Sequence, residues 1–295
     1  MHTPIYYHPA QEVGFSFISV NKIPEFVAQS ERHVRSDFRP FNNSEIAAAH
    51  DLAYVRDVMF RKRDNGFGNR DIDVNEALRY TTAGHWAATR HVLDEGGIAC
   101  SATQGFHHAM WDNGGGYCTF NGLMISAKRA LRTGVGCVLI IDGDGHYGNG
   151  TQDIIDHYGM GAQVRHVTRG DKPGGMGVAQ SGFGTKEWYD WTMDLISRHK
   201  PGIIMYQAGA DAWVDDPYGA GYLTQMGLAR RDRGIFLAAT DAGVPLVWNL
   251  AGGYTDPMQR TIDIHLMTLQ QSDEVLHANA KAKHVQAESR EPQLS

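Results

Sequence analysis

In the stretch "IIDGDGHYGNGTQD", residues 140–153, Asp142, Asp144 and His146 occupy alternate positions with glycine between them, directly after a run of branched apolar residues. Two carboxylates and an imidazole in one turn suit a divalent cation. Continued as an extended strand, the segment would send all three side chains to one side. A glycine-rich turn after a strand can instead cradle phosphate, but two carboxylates repel phosphate, and "GDGHYGNG" has neither the P-loop lysine nor the dinucleotide spacing. Asp211, in "QAGADAWVDDP", follows a different apolar run. It either caps the next turn or completes a carboxylate, imidazole and carboxylate set, which zinc accepts with a further position left open for water.

Three more residues carry candidate chemistry. His107 and His108 are adjacent in a glycine-flanked loop, "QGFHHAMWDNGGG". Two neighbouring imidazoles are not both at ease in an apolar core, so the pair is either surface or functional. In the functional case one is a general base toward water, and the other, paired to a carboxylate such as Asp142, holds charge near the reacting centre. Tyr254, in "LAGGYTDP", follows an apolar run and two glycines that permit close backbone approach. Its ring packs at a strand end, or its hydroxyl donates to a developing oxyanion.

These residues need a scaffold that brings distant segments together. From residue 85 onward short apolar runs alternate with helical patterns, the rhythm of parallel strands with crossover helices on both faces. The spacing predicts a helix at "NEALRYTTAGHWAATRHVLDE", capped by Asn75 and stopped at Gly96-Gly97, then a strand at "IACSAT". Helices follow at "NGLMISAKRALRTG", "TQDIIDHYG", "TKEWYDWTMDLISRHK" and "TQMGLARRDRGIFLAATDAG". Strands are expected at "GCVLIID", "AQVRHVT", "GIIMYQA" and "VPLVWNLA", and a last long helix from about Asp256. In an open parallel sheet ligands gather at the carboxyl ends of the strands, and the histidine pair, the 142–146 turn, Asp211 and Tyr254 each follow a predicted strand. Residues 1–40 read as irregular. The whole reads as one domain over residues 1–295, with about 281–295 a flexible tail.

Composition narrows the classes. The chain has 295 residues, 42% hydrophobic and 20% charged, as expected of one large globular domain. A net charge of -6 and no basic block argue against nucleic acid as a partner. The apolar runs fall short of the roughly 20 residues of a membrane span, and the first residues lack the pattern of a signal peptide. The three cysteines, Cys100, Cys118 and Cys137, lack metal spacing and suit a reducing, cytoplasmic setting. Of the fifteen histidines, His33, His91, His157, His199, His277 and His284 are expected on solvated surface.

Taken together, "HH" at 107–108, "GGGYCTFN" at 114–121, "DGDGHYGNGTQD" at 142–153, "GADAWVDDPYG" at 209–219 and "LAGGY" at 250–254 resemble, in order and spacing, the active-site motifs of the histone deacetylase family, including its bacterial amidohydrolase and acetylpolyamine amidohydrolase branches. "EIAAAHDLAYVRDV" resembles its early helical motif, and the similarity covers roughly residues 40–260. The resemblance implies a three-layer αβα sandwich of the arginase/deacetylase type with a mostly parallel sheet. It also implies one zinc held by Asp144, His146 and Asp211. His108 would be general base and acid, His107 its electrostatic partner hydrogen bonded to Asp142, and Tyr254 the carbonyl-polarising donor. Gly116, Tyr117 and Tyr218 would line the substrate channel, and potassium would bind Asp142 and Thr168. Asn149 stands where class I members have an aspartate, Tyr117 where phenylalanine is common. Tyr218 stands where several lysine deacetylases have leucine and a polyamine-selective member has glutamate.

The reading that follows is a zinc-dependent deacylase acting on an N-acylated amine, acetyl-lysine in a peptide or small molecule. The alternatives are an acetylpolyamine amidohydrolase, an inactive acyl-ligand binding protein and, more remotely, an arginase-like manganese hydrolase. Loops near Trp111, Trp213 and Tyr218 suit either a channel wall or a homo-oligomer contact.

Overall fold

A computed structural model describes residues 2–14, 18–169, 175–219 and 221–288 of the chain. In chain order the elements are β1 (Ile5–Tyr6), α1 (Ile18–Gln29), β2 (Val34–Arg35), α2 (Asn43–Ile46), α3 (Leu52–Met59), α4 (Ile72–Glu95), β3 (Ile98–Ser101) and α5 (Gly122–Arg132). Then come β4 (Val138–Asp142), α6 (Asn149–His157), β5 (Val164–Val167), α7 (Thr185–His199), β6 (Ile203–Gln207), α8 (Gln225–Asp241), β7 (Leu246–Asn249) and α9 (Gln259–Glu288). The strands form one seven-stranded sheet in the order β2-β1-β3-β7-β6-β4-β5, with every pairing parallel.

Helices cover both faces, which is why the central strands read as unbroken apolar runs. Alternate residues serve opposite layers. Leu139, Ile141, Ile204, Tyr206, Leu246 and Trp248 pack with side chains of α1, α7, α8 and α9. Val138, Ile140, Ile203, Met205 and Val247 pack with those of α3, α4, α5 and α6. The parallel sheet with helices on both faces expected from the rhythm is observed, and with it the three-layer αβα class that the resemblance implies.

Two local expectations are corrected. Helix α4 starts earlier than predicted, with Asp71 as N-cap accepting from the Asp73 amide. Asn75 lies inside the helix, fully buried, donating to the Val58 carbonyl at 2.8 Å and accepting from Asn65 Nδ2 at 3.0 Å. A polar residue that suggested a cap is satisfied by tertiary partners instead. Residues 1–40 are not irregular: they supply β1, β2 and α1. The two strands are two residues long, and α1 contains Pro24, so neither leaves a readable period. Helix α9 continues to Glu288, into the stretch expected to be a tail, and residues 289–295 lie outside the described part.

Candidate active site

The strand order places β3, β7, β6 and β4 side by side, so the loops leaving their carboxyl ends meet over one patch. From β3 come His107 and His108, from β4 the 142–146 turn, from β6 Asp211, and from β7 Tyr254. His146 Nδ1 lies 3.2 Å from Asp144 Oδ1 and 3.0 Å from Asp211 Oδ2. One donor atom from each of the three residues falls within 4.8 Å of the other two. Asp211 sits in a single 3-10 turn, fully buried, so it is not the exposed cap that its sequence setting also allowed.

The turn itself is not a strand continuation. β4 ends at Asp142, and the chain bends through residues 144–146. His107 Nε2 lies 3.5 Å from Asp144 Oδ1, and the other nitrogen of the same ring reaches Asp142. The Asp142 carboxylate takes hydrogen bonds from His107 Nδ1 (2.7 Å) and Gln207 Nε2 (3.0 Å), with His166 Nε2 3.5 Å away. Thr168 Oγ1 lies 3.3 Å from the same carboxylate, so the two side chains expected to hold potassium are adjacent.

Backbone donors hold the carboxylates. The Gly145 amide donates to Asp211 Oδ1 at 2.8 Å and the Gly252 amide to Asp144 Oδ2 at 2.9 Å. Gly252 has to be glycine, because a Cβ there would lie 2.3 Å from Asp211 Oδ2 and 2.7 Å from Asp144 Oδ2. His146 Nε2 donates to the Tyr218 carbonyl at 2.6 Å, which turns Nδ1 toward the two carboxylates and orients the ring from behind.

Burial and the nearby Asp144 charge push the Asp211 carboxyl up to about 7. Hydrogen bonds that it donates to Asp144 and Asp211 push the His146 ring up to about 11. The Asp211 carboxyl and the His146 ring thus hold protons that a divalent cation would displace, while against the cost of burial the His107 charge and a hydrogen bond from His146 keep Asp144 well below the usual carboxylate range. An oxygen, nitrogen and oxygen donor set is one that catalytic zinc sites use. The residues present fit that metal.

His107, buried, and His108 lie with ring centroids 4.1 Å apart, and His108 is 5.9 Å from the His146 ring. Burial disfavours charge on His107, but the carboxylates of Asp142, Asp144 and Asp211 outweigh it and hold the ring at about 9. For His108, burial and the neighbouring His107 charge lower the pKa below its ordinary value. His108 Nδ1 donates to the Asn149 amide oxygen at 2.5 Å, leaving the lone pair of the neutral ring on Nε2.

Tyr254 stands opposite. Its hydroxyl is kept protonated by burial and by the carboxylates of Asp144 and Asp211, which raise its pKa. Its ring meets Tyr218 at 5.3 Å in a perpendicular contact and Tyr117 at 6.5 Å. Gly116 has φ +53, and a Cβ there would strike the His108 ring at 2.5 Å. The residues expected to line a channel therefore flank the ones expected to react. Trp213 is buried within the chain and Trp111 stacks on His157 at 3.8 Å.

Sequence reasoning missed two groups that shape this site. Asp216 Oδ2 accepts from the Tyr254 amide at 2.7 Å, while its Oδ1 accepts from the Tyr218 and Gly219 amides, both at 3.0 Å. One carboxylate so ties two of the tyrosines together, and the second acidic residue of "DDP" was the available signal. Lys22, on α1, is fully buried and donates to the carbonyls of Ala251 (2.5 Å) and Gly253 (3.4 Å) beneath Tyr254. A lysine in an unreadable segment gives no such warning.

A sequence model of the histone deacetylase domain matches residues 18–164 and 182–269 of this chain, and the chain belongs to that family. It is 31% identical over 182 residues to histone deacetylase 2 of Arabidopsis thaliana, covering 57% of this chain and 47% of that protein. It is also 31% identical over 175 residues to the acetylpolyamine amidohydrolase of Mycoplana ramosa, covering 51% and 50%. The chain spans about half the length of these curated relatives. Among solved structures, an acetylpolyamine aminohydrolase from Burkholderia pseudomallei superposes with a TM-score of 0.71 at 19% identity, covering 92% of this chain and 99% of that one, which supports the fold. No helix among the described residues is long and apolar enough to cross a membrane.

Proposed function

We propose that the chain is a zinc-dependent amidohydrolase that removes an acetyl or other acyl group from an N-acylated amine, with acetyl-lysine in a peptide or small molecule as the leading substrate. The observation that carries this reading is the convergence of Asp144, His146 and Asp211 beside His108 and Tyr254. A bound zinc supplies Lewis acidity to the acyl carbonyl and to the attacking water. His108 Nε2 takes the proton from that water and returns it to the departing amine. His107, charged and tied to Asp142, steadies negative charge across the reaction. The Tyr254 hydroxyl donates to the oxyanion. Tyr117 and Tyr218 grip the aliphatic stem of the substrate.

The test joins metal analysis to a substrate screen of the wild type and Tyr254→Phe. One zinc per chain and a loss of about 10²–10³ in kcat for the variant are expected. Full activity in Tyr254→Phe would remove the oxyanion role. Purified protein that holds zinc and hydrolyses none of a broad acyl-lysine panel would favour a binding protein instead.

Similarity to acetylpolyamine amidohydrolases supports a second reading, an enzyme for acetylated polyamines. Against it stands Tyr218, whose 62% exposed ring at the mouth offers no carboxylate to a cationic substrate. Comparing kcat/KM for an acetyl-lysine peptide with that for acetylputrescine and acetylspermidine decides between them. We also assign a potassium ion to Asp142 and Thr168, supported by their adjacency. Exchange of potassium for lithium is expected to lower the melting temperature of the wild type more than that of Thr168→Val.

A further inference from the structure

Arg231, on α8, is fully buried, as is its neighbour Asp232. Burying a guanidinium is costly unless each of its donors is used, and the way this one is used is informative. Nε donates to Asp232 Oδ1 at 2.9 Å. The other two nitrogens turn away from Asp232: Nη1 donates to the Gly143 carbonyl at 2.7 Å and Nη2 to the Gly209 carbonyl at 3.2 Å. Gly143 immediately precedes Asp144 at the end of β4, and Gly209 lies just before Asp211 at the end of β6. β4 and β6 are neighbours in the sheet. One rigid, planar fork therefore spans the two strand ends that carry the two carboxylates of the triad.

The fork is itself fixed from behind. Asp232 accepts from the Tyr206 hydroxyl on β6 and from Thr268 Oγ1 on α9, the latter at 2.6 Å. The approach is close on the site side as well, since a Cβ at Gly143 would lie 3.2 Å from Arg231 Nη1. A pair serving only to neutralise Asp232 would turn more than one guanidinium nitrogen to that carboxylate.

We infer that Arg231, braced by Asp232, is a positioning residue for the metal centre, holding the ends of β4 and β6 at the separation at which Asp144 and Asp211 grip one divalent cation. The inference rests on reading Asp144, His146 and Asp211 as a metal site. Two carboxylates of like charge repel, and without a brace their loops relax apart. A lysine at 231 has the charge but not the fork, and reaches one carbonyl at a time.

The experiment measures zinc dissociation constants by competition with a chromophoric chelator, together with melting temperatures of zinc-loaded and EDTA-stripped protein, for wild type, Arg231→Lys and Asp232→Asn. Supporting groups behind metal ligands typically change affinity by about 10- to 100-fold. Arg231→Lys is expected toward the upper end of that range and the isosteric Asp232→Asn toward the lower. The gap between loaded and stripped melting temperatures should narrow in both. A merely structural role lowers both melting temperatures together and leaves the zinc constant alone. Zinc constants within twofold of wild type in the variants that fold would overturn the inference while leaving the metal site standing. A wild type that takes up no zinc would overturn both. Should Arg231→Lys not fold, Asp232→Asn alone decides by the same criterion.

Discussion

Because Asn149 offers His108 an amide oxygen 2.5 Å from Nδ1, the ring is oriented without an adjacent negative charge. Burial and the His107 charge then keep its pKa below the ordinary histidine value. As the base works only unprotonated, activity is lost as pH falls through that lowered pKa. Replacing Asn149 by Asp adds a charge that favours the imidazolium, so the acid limb of kcat/KM should move up by about one pH unit. A pH profile of the two proteins checks this, and an unmoved limb would mean that His108 is not the titrating base. His108→Ala should lower kcat by about 10²- to 10⁴-fold, measured on the acyl-lysine substrate. The residue types at this scale were legible in the sequence: the histidine pair, the acidic turn and the tyrosine each stand out. Asp216 and Lys22 did not, because their work is to hold backbone that only folding brings near them.

Between elements, His50 is a cross-link. Its Nδ1 donates to the Met110 carbonyl at 2.8 Å in the loop that follows His108, and its Nε2 accepts from the Asn121 amide at 2.8 Å at the start of α5. These bonds require the neutral ring. Burial holds His50 at about 4, and burial likewise holds His85 at about 3. Below pH 6.5 the unfolded chain binds protons at both residues and the folded chain does not, so stability rises with pH through this window and falls on acidification. At about 1.4 kcal/mol per pH unit per group, acidification from pH 7 to 5 should cost roughly 4 kcal/mol from the two together. Urea unfolding at the two pH values measures it, and His50→Gln should show about half the dependence on pH. A pH dependence in His50→Gln equal to that of the wild type would mean that the His50 ring is not buried neutral. The long apolar and amphipathic runs from residue 75 onward were readable as elements, whereas β1 and β2 are two residues long and form only by pairing, β2 with β1 and β1 with β3.

For the molecule as a whole, the sheet order decides what meets. The triad is drawn from the loops after β4 and β6, and its electrostatics favour a cation. Zinc at about 1,000 times its dissociation constant should stabilise the fold by about 4 kcal/mol. Thermal unfolding of stripped and zinc-loaded protein should show that gap, and Asp211→Asn should close most of it. Equal melting curves for stripped and loaded wild type would contradict a bound ion.

By itself the sequence determined the class of fold, the position of the motifs at strand ends and the chemical character of the site, because apolar periodicity and rare polar residue types are local properties. It had already paired Asp142 with His107, but it did not determine that β4 would stop at Asp142 and the chain bend through residues 144–146 instead of continuing extended. Nor did it show that a lysine from the N-terminal helix and an arginine from α8 would lie buried beneath the strand ends. Those outcomes follow from which strands are neighbours and which backbone carbonyls need donors once water is excluded, and both depend on the packed tertiary structure.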